Sequence, residues 1–283
     1  MKPRNLALDV NPIVYSPEIR AAMAKLGVMD LLCRPSGDVR PLLGTSVKIQ
    51  HSNTSQEYLS TVQYLSPNNE AGLAFSLCPH AGSCGDPKSG CINKSGHMRY
   101  SQNEAVRIVK TGLWFYHNDL YMTVLRHDIA KHEQRAKRQG KVPCVRLNGT
   151  SDLRWERSGI FEEFPDVQFY DYTKFPLRFR HVPENYHLTF SISEHPETWE
   201  RAAQYMNAGY SAAVVVRTKE MARTAIEAGQ WLGFPTVNGD EHDLRILDPS
   251  GHLVILYAKG NGRSDTSGFV YDVHTADLVG AAA

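Results

Sequence analysis

From residue 142 onward the chain alternates between apolar runs of strand length and segments with helical spacing. Residues 142–147, 166–172, 186–193, 212–216, 233–237 and 252–257 read as strands. Between them, Pro196 opens a helix with Trp199, Ala203 and Met206 on one face, closed by Gly209. Thr218 caps another that reaches to residue 228. Apolar strands separated by helices belong to a parallel sheet covered on its faces. The expected fold is therefore α/β: a partial (β/α) barrel with mostly parallel strands. It occupies residues 71–275, and residues 1–70 form an N-terminal extension packed on the core. In such folds functional groups gather at the carboxyl ends of the strands. That rule collects Cys78 and residues 148–152, 171–174 and 191–193 at one rim.

The first half is less regular. Ser16, Pro17 and Glu18 start a helix that Gly27 closes. Residues 42–44 and 47–49 read as short extended pieces, and 63–69 as turns. Residues 72–77 form a short apolar run that reads as a buried strand. Ser101 and Glu104 make a capping box for a helix to residue 110. A second helix, 118–138, stacks Tyr121, Leu125 and Ile129. The cation-rich stretch 126–141 at its outer end reads as a solvated helix face or as a surface for phosphates and nucleic acid.

Cys78, Cys84 and Cys91 lie between residues 78 and 91 in a C-x5-C-x6-C pattern, on a stretch interrupted by glycines and prolines. Thiolates crowded on an irregular loop suit a metal or an iron-sulfur cluster. Three thiolates fit a [4Fe-4S] cluster with one iron left open to a ligand. With His80, Cys33 or Cys144 as a fourth ligand they fit zinc instead. Cys144 itself sits in an apolar strand and reads as core. Asp171 and Lys174 end a strand at the rim as candidate acid/base or phosphate-contacting groups. Asp240, Glu241, His242 and Asp243 read as a solvated loop, with a hard cation as the alternative.

Other classes are excluded by what is missing. The net charge of +1 calls for neither a nucleic-acid nor a membrane partner. An odd count of five scattered cysteines does not make a secreted disulfide framework. No run approaches the roughly 18 apolar residues of a membrane span. The first residues lack a signal-peptide core, so a cytoplasmic setting is expected. There is no P-loop, dinucleotide fingerprint or nucleophile elbow.

The order of parts resembles the radical S-adenosylmethionine partial barrel: a strand, a three-cysteine loop, a helix, then strand–helix repeats. In that superfamily the next strand ends in a Gly-Gly-Glu-Pro segment that meets the methionine amino group. Residues 145–152 stand in the corresponding place. The resemblance implies that Asn148, Gly149, Ser151 and Asp152, with Ser191 and Ser193 of a later strand, face S-adenosylmethionine. The superfamily's C-x3-C-x2-C spacing is narrower than this loop.

A closer resemblance is to a bacteriophage family, the gene product 88 group. It rests on residues 76–81 (Ser-Leu-Cys-Pro-His-Ala), the Asn-Gly-Thr-Ser-Asp turn at 148–152 and the Tyr-Asp-Tyr-Thr-Lys segment at 170–174. Asn-Gly-Asp at 238–240 and Ser-Gly-Phe-Val at 267–270 extend it. It implies a phage origin and the cytoplasm of an infected host. The expected function is an iron-sulfur enzyme performing radical or redox chemistry on a small molecule, nucleotide or nucleic acid. The alternative is a zinc- or cluster-stapled protein that binds nucleic acid or a host protein through 126–141.

Overall fold

The computed structural model describes residues 41–274 apart from 56 and 86–89, together with Pro17, Ala21, Ala24 and Lys25. The helix expected from Ser16 to Gly27 lies outside the described residues except for those four positions, which are helical. Cys33 also lies outside them.

The strands are β1 (Leu43–Gly44), β2 (Tyr58–Gln63), β3 (Val142–Arg146), β4 (Gln168–Thr173), β5 (Tyr186–Ser191), β6 (Ser211–Val216), β7 (Gln230–Trp231), β8 (Phe234–Asn238), β9 (Leu253–Tyr257) and β10 (Val270–Tyr271). They form one ten-stranded sheet in the order β1-β2-β3-β4-β5-β6-β9-β8-β7, with β10 beside β6. The end pairs β1–β2 and β7–β8 are antiparallel. Every pair between them is parallel. The sheet is open, so the expected α/β architecture with mostly parallel strands is the one the chain adopts.

The helices are α1 (Val47–Ser55), α2 (Ser101–Tyr116), α3 (Asn118–Arg138), α4 (Ile160–Glu163), α5 (Glu197–Asn207) and α6 (Lys219–Glu227). Strand alternation sends one set of side chains to the helices and the other to the opposite face. Val145, Phe169, Leu188, Phe190, Val214 and Ile255 share one apolar core with Val109 of α2, Leu125 of α3, Phe161 of α4, Met206 of α5 and Ala225 of α6. Thr218 caps α6 as its sequence implies, accepting from Met221 N at 3.1 Å. The other face is more polar. Cys144 and Tyr170 pack there with Leu244, and Tyr170 Oη is 2.8 Å from Ser60 Oγ.

Three local expectations are corrected. Residues 47–49 open α1 rather than an extended piece. Residues 72–77 are not a strand: Leu73 and Leu77 are buried, but Leu77 bonds Asn68 O and Asp152 N, one from each of two loops. The strand that precedes the cysteine loop is β2, which is internal to the sheet, so residues 43–63 supply β1, α1 and β2 to it. In addition, α2 continues past residue 110 to Tyr116.

Residues 240–248 do not form a solvated loop. Asp243 is buried, accepts from Tyr170 Oη at 3.0 Å and pairs with Arg146 at 3.3 Å. Arg245 and Asp248 form a wholly enclosed pair at 3.1 Å. Together these groups cover part of the polar face.

Candidate functional site

The cysteine loop lies across the carboxyl ends of β2, β3 and β5 and is pinned from each. After β2, Asn68 takes a left-handed backbone (φ 51°) and its Nδ2 donates to Gly85 O at 3.0 Å. After β3, Asp152 N donates to Leu77 O at 2.9 Å. After β5, Glu194 Oε1 accepts from Ser83 N at 2.7 Å. Burial works against the Glu194 carboxylate, yet the Ser83 bonds hold its carboxyl below the usual range. Gly82 is needed here, because its φ is +54° and a Cβ would stand 2.4 Å from Glu194 Oε1.

This arrangement brings Cys78, Cys84 and Cys91 to one cavity of about 130 Å³, whose wall includes Asn148, Ser151, Asp152, Lys174 and Ser191. The three thiols are not bridged to one another. Burial raises the Cys78 thiol to about 11, and its Sγ lies 3.7 Å from Thr150 O. Cys84 behaves in the opposite way. A hydrogen bond from the Cys91 thiol, aided by the Lys174 ammonium, lowers it to about 6, and Cys91 is raised as its partner. Lys174 Nζ is 3.4 Å from Ser191 Oγ and lies 4.7 Å from the centre of the Phe269 ring. The cavity therefore sets the Cys84 and Cys91 sulfurs beside the Lys174 side chain.

Hydrogen bonds at and beneath the rim hold the predicted residues in place. Asn148 Oδ1 accepts from Ser151 Oγ (2.9 Å), Leu153 N (2.9 Å) and Trp155 Nε1 (3.2 Å), which folds the turn after β3. Asp152 accepts from Thr173 Oγ1 (2.7 Å), Lys174 N (2.9 Å) and Arg178 Nη1 (2.8 Å), which ties the β3 and β4 ends together. Asp171, Gly149 and Ser193 do not line the cavity. Asp171 is fully buried beneath it, accepting from Asn148 N at 2.7 Å and Tyr186 Oη at 2.8 Å. Burial, opposed by Arg178 and Arg146, raises its carboxyl to about 7. Gly149 N donates to Gln63 O at 3.0 Å. Ser193 O accepts from Thr198 Oγ1 at 3.1 Å and from Tyr271 Oη.

Asn68, Glu194 and Arg146 are site residues that sequence reasoning missed. Each acts across long sequence separations, and a single polar residue in a loop carries no local signal for that. Arg146 alternates with apolar neighbours in β3, which does mark it as facing the other side of the sheet.

Among the described residues, no group of three or more histidine, cysteine, aspartate or glutamate side chains is arranged to hold a metal ion. Such an ion would draw all its ligands onto one small polyhedron, whereas a cluster spreads its thiolates around a larger body. His80 and Cys144, two of the other zinc candidates, are engaged elsewhere. The His80 ring stacks on Phe175 with centroids 4.5 Å apart, and Cys144 is buried against Tyr170 and Leu244. The donor set at the cavity is three thiols beside a lysine.

Two cations of the basic stretch pair with acids. Arg126 meets Glu163 at 2.6 Å, and Lys137 meets Glu133 at 2.7 Å and Asp166 at 2.9 Å. No helix among the described residues is long and apolar enough to cross a membrane.

An open, mostly parallel α/β sheet with a thiol-lined cavity at its carboxyl rim is the class of protein that these features define. Residues 42–273 match the family model for gene product 88, so the chain belongs to the gene product 88 family. No curated protein and no solved structure matches it.

Proposed function

We propose that this protein is an iron-sulfur enzyme in which Cys78, Cys84 and Cys91 hold a [4Fe-4S] cluster. The observation that carries the reading is the convergence of these three thiols on one cavity whose wall also holds Ser151, Asp152, Lys174 and Ser191. Such a cluster supplies one-electron chemistry, with an iron free of protein ligands to take a small molecule. The protein's own groups fit that task. Lys174 balances thiolate charge beside Cys84. Asn68, Asp152 and Glu194, acting through backbone bonds, fix the loop over the strand ends. Ser151 and Ser191 offer hydroxyls to a bound molecule at the cavity wall. S-adenosylmethionine is the proposed occupant, in keeping with the likeness to radical enzymes of that class. Lys174 then serves its carboxylate or the substrate, and Asp171 acts through Asn148 as a positioning group.

The test is anaerobic purification followed by metal analysis. The reading predicts a brown protein with about four irons and four sulfides per chain. It also predicts an electron paramagnetic resonance spectrum, after reduction, that changes on adding S-adenosylmethionine. A colourless protein carrying zinc would overturn the cluster. An unchanged spectrum would overturn the proposed occupant alone.

A further inference from the structure

Arg146 and Ile92 belong to the walls of two cavities, the thiol-lined one and a larger one of about 610 Å³. The second lies among the first turn of α1, residues 95–98 and α2. Five cationic side chains line it, Lys48, Arg107, Lys110, Arg146 and Lys259, against the single carboxylate of Asp243.

That carboxylate is already divided between Arg146 at 3.3 Å and Lys48 at 4.0 Å. Lys259 is paired outside the cavity wall with Asp240 at 2.6 Å. The hydrogen-bond partners of Lys48, Arg107 and Lys110 in the cavity wall are carbonyls and a thioether. Lys110 Nζ donates to Leu42 O at 2.7 Å and Lys48 Nζ to Gly239 O at 2.6 Å, one bond each from groups that carry three protons. Arg107 is 3 % exposed, gives Nη2 to Met98 O at 2.9 Å, and leaves a buried Nε without a partner. Arg146 Nε is buried and unpartnered too. Burying donors and charges in this way is costly unless something accepts from them. Burial lowers both Lys48 and Lys110 to about 8, outweighing the opposing pull of Asp243 on Lys48 and of Asp128 on Lys110.

We propose that this second cavity binds the phosphate groups of a phosphorylated small molecule of nucleotide size. Phosphate oxygens accept several charge-assisted bonds at once and suit a guanidinium fork and converging ammoniums. The volume falls within the range that encloses molecules of that size, roughly 300–1,000 Å³. Binding rests on the cavity alone. That the ligand is the substrate of the neighbouring thiol-lined cavity, reached past Arg146, rests on the function proposed above.

The experiment titrates pyrophosphate, ADP and adenosine into the full chain by calorimetry, before and after removal of any bound metal. Wild-type protein should bind ADP more tightly than pyrophosphate, and adenosine weakly or not at all. Lys110→Met should weaken pyrophosphate binding by about tenfold or more, the loss of one charge-assisted bond. Its melting temperature should not fall, because a desolvated ammonium is replaced by an apolar chain. Arg107→Gln should weaken binding as well; if that variant does not fold, Lys110→Met decides. No binding of pyrophosphate to wild type, or equal binding by Lys110→Met, would overturn the proposal. Pyrophosphate and ADP binding equally would remove the nucleotide-sized part. Phosphate binding by a protein that never carries iron would leave this inference standing and sink the cluster; an iron protein that binds no phosphate would do the reverse.

Discussion

Replacing Gly149 by alanine separates a packing role from a ligand-contact role. The turn after β3 presses against the end of β2, where Gly149 N donates to Gln63 O at 3.0 Å. A Cβ built on Gly149 would stand 2.5 Å from Gln63 O and 2.7 and 2.8 Å from two carbons of the Tyr64 ring. The ring can turn aside. The carbonyl cannot do so cheaply, because Gln63 ends β2 and is in register with Leu43 of β1. The Gly149 backbone is not left-handed, so lack of space alone sets the cost. Overpacking of this kind costs about 1–3 kcal/mol. Weakening the Gly149–Gln63 hydrogen bond adds about 1 kcal/mol. Gly149→Ala should therefore lose about 2–4 kcal/mol of stability, read as a lower urea midpoint at unchanged slope. A loss under about 0.5 kcal/mol, the scale of an ordinary surface substitution, would refute the packing argument. Weakened ligand binding in such a stable variant would return Gly149 to the role of a ligand contact.

Asp171 should make stability depend on pH. Its carboxyl goes from 3.8 to about 7 on burial, so between those values the folded protein keeps a proton that the unfolded chain has released. Stability from this group is greatest at low pH and falls as pH rises through that window, by about 4 kcal/mol at most. Asp171→Asn should flatten this part of the profile in urea melts at about pH 5 and about pH 8, and an unchanged difference between them would count against it. Cys84→Ser should abolish bound iron. Cys144→Ala, in the apolar cluster with Tyr170 and Leu244, should keep the iron and cost only about 1–2 kcal/mol; equal iron in both variants would remove Cys84 from the site. Arg245→Met should cost about 3–5 kcal/mol by stranding Asp248 in an enclosed position, and a neutral result would show that the pair is dispensable.

The strands β3 to β6, β8 and β9 were legible because their helix-facing residues, such as Val145, Phe169 and Ile255, make continuous or alternating apolar runs. β2 was hidden by the same geometry. Its Ser60 faces the polar side of the sheet and meets Tyr170, and Thr61 reaches Gly44 O, so its pattern does not look like a buried strand. Residues 72–77 misled in the reverse direction, since Leu73 and Leu77 are buried without a ladder. At the site, the cysteines and the polar turn at 148–152 stood out by residue type and spacing. Asp243 did not, because its partners Arg146 and Tyr170 lie far away in sequence and a run of acids looks solvated when its cations are out of sight. The split among the rim residues was equally invisible. Whether a polar side chain at a strand end faces the cavity, as Ser191 does, or supports the turn beneath it, as Asp171 does, follows from strand parity and register.

The place of the cysteine loop follows from a seam in the sheet. β5 pairs with β6 only as far as Ser191 and Ala213. Further along, Val215 and Val216 pair with Val270 and Tyr271 of β10, so the last described strand takes over where β5 leaves. Arg217 locks this substitution, bonding Asp272 Oδ1 at 2.7 Å and Asp265 O at 2.8 Å. Freed from β6, the end of β5 carries Glu194 to Ser83, and β10 brings Phe269 beneath Lys174 and packs it in a cluster with Cys84. Open parallel sheets bind ligands where neighbouring strands part at their carboxyl ends, because the backbone there has room and unspent polar groups. In this chain the parting is produced by a strand from the far end of the sequence. The cavity therefore depends on the closing residues of the fold as much as on the cysteines that mark it.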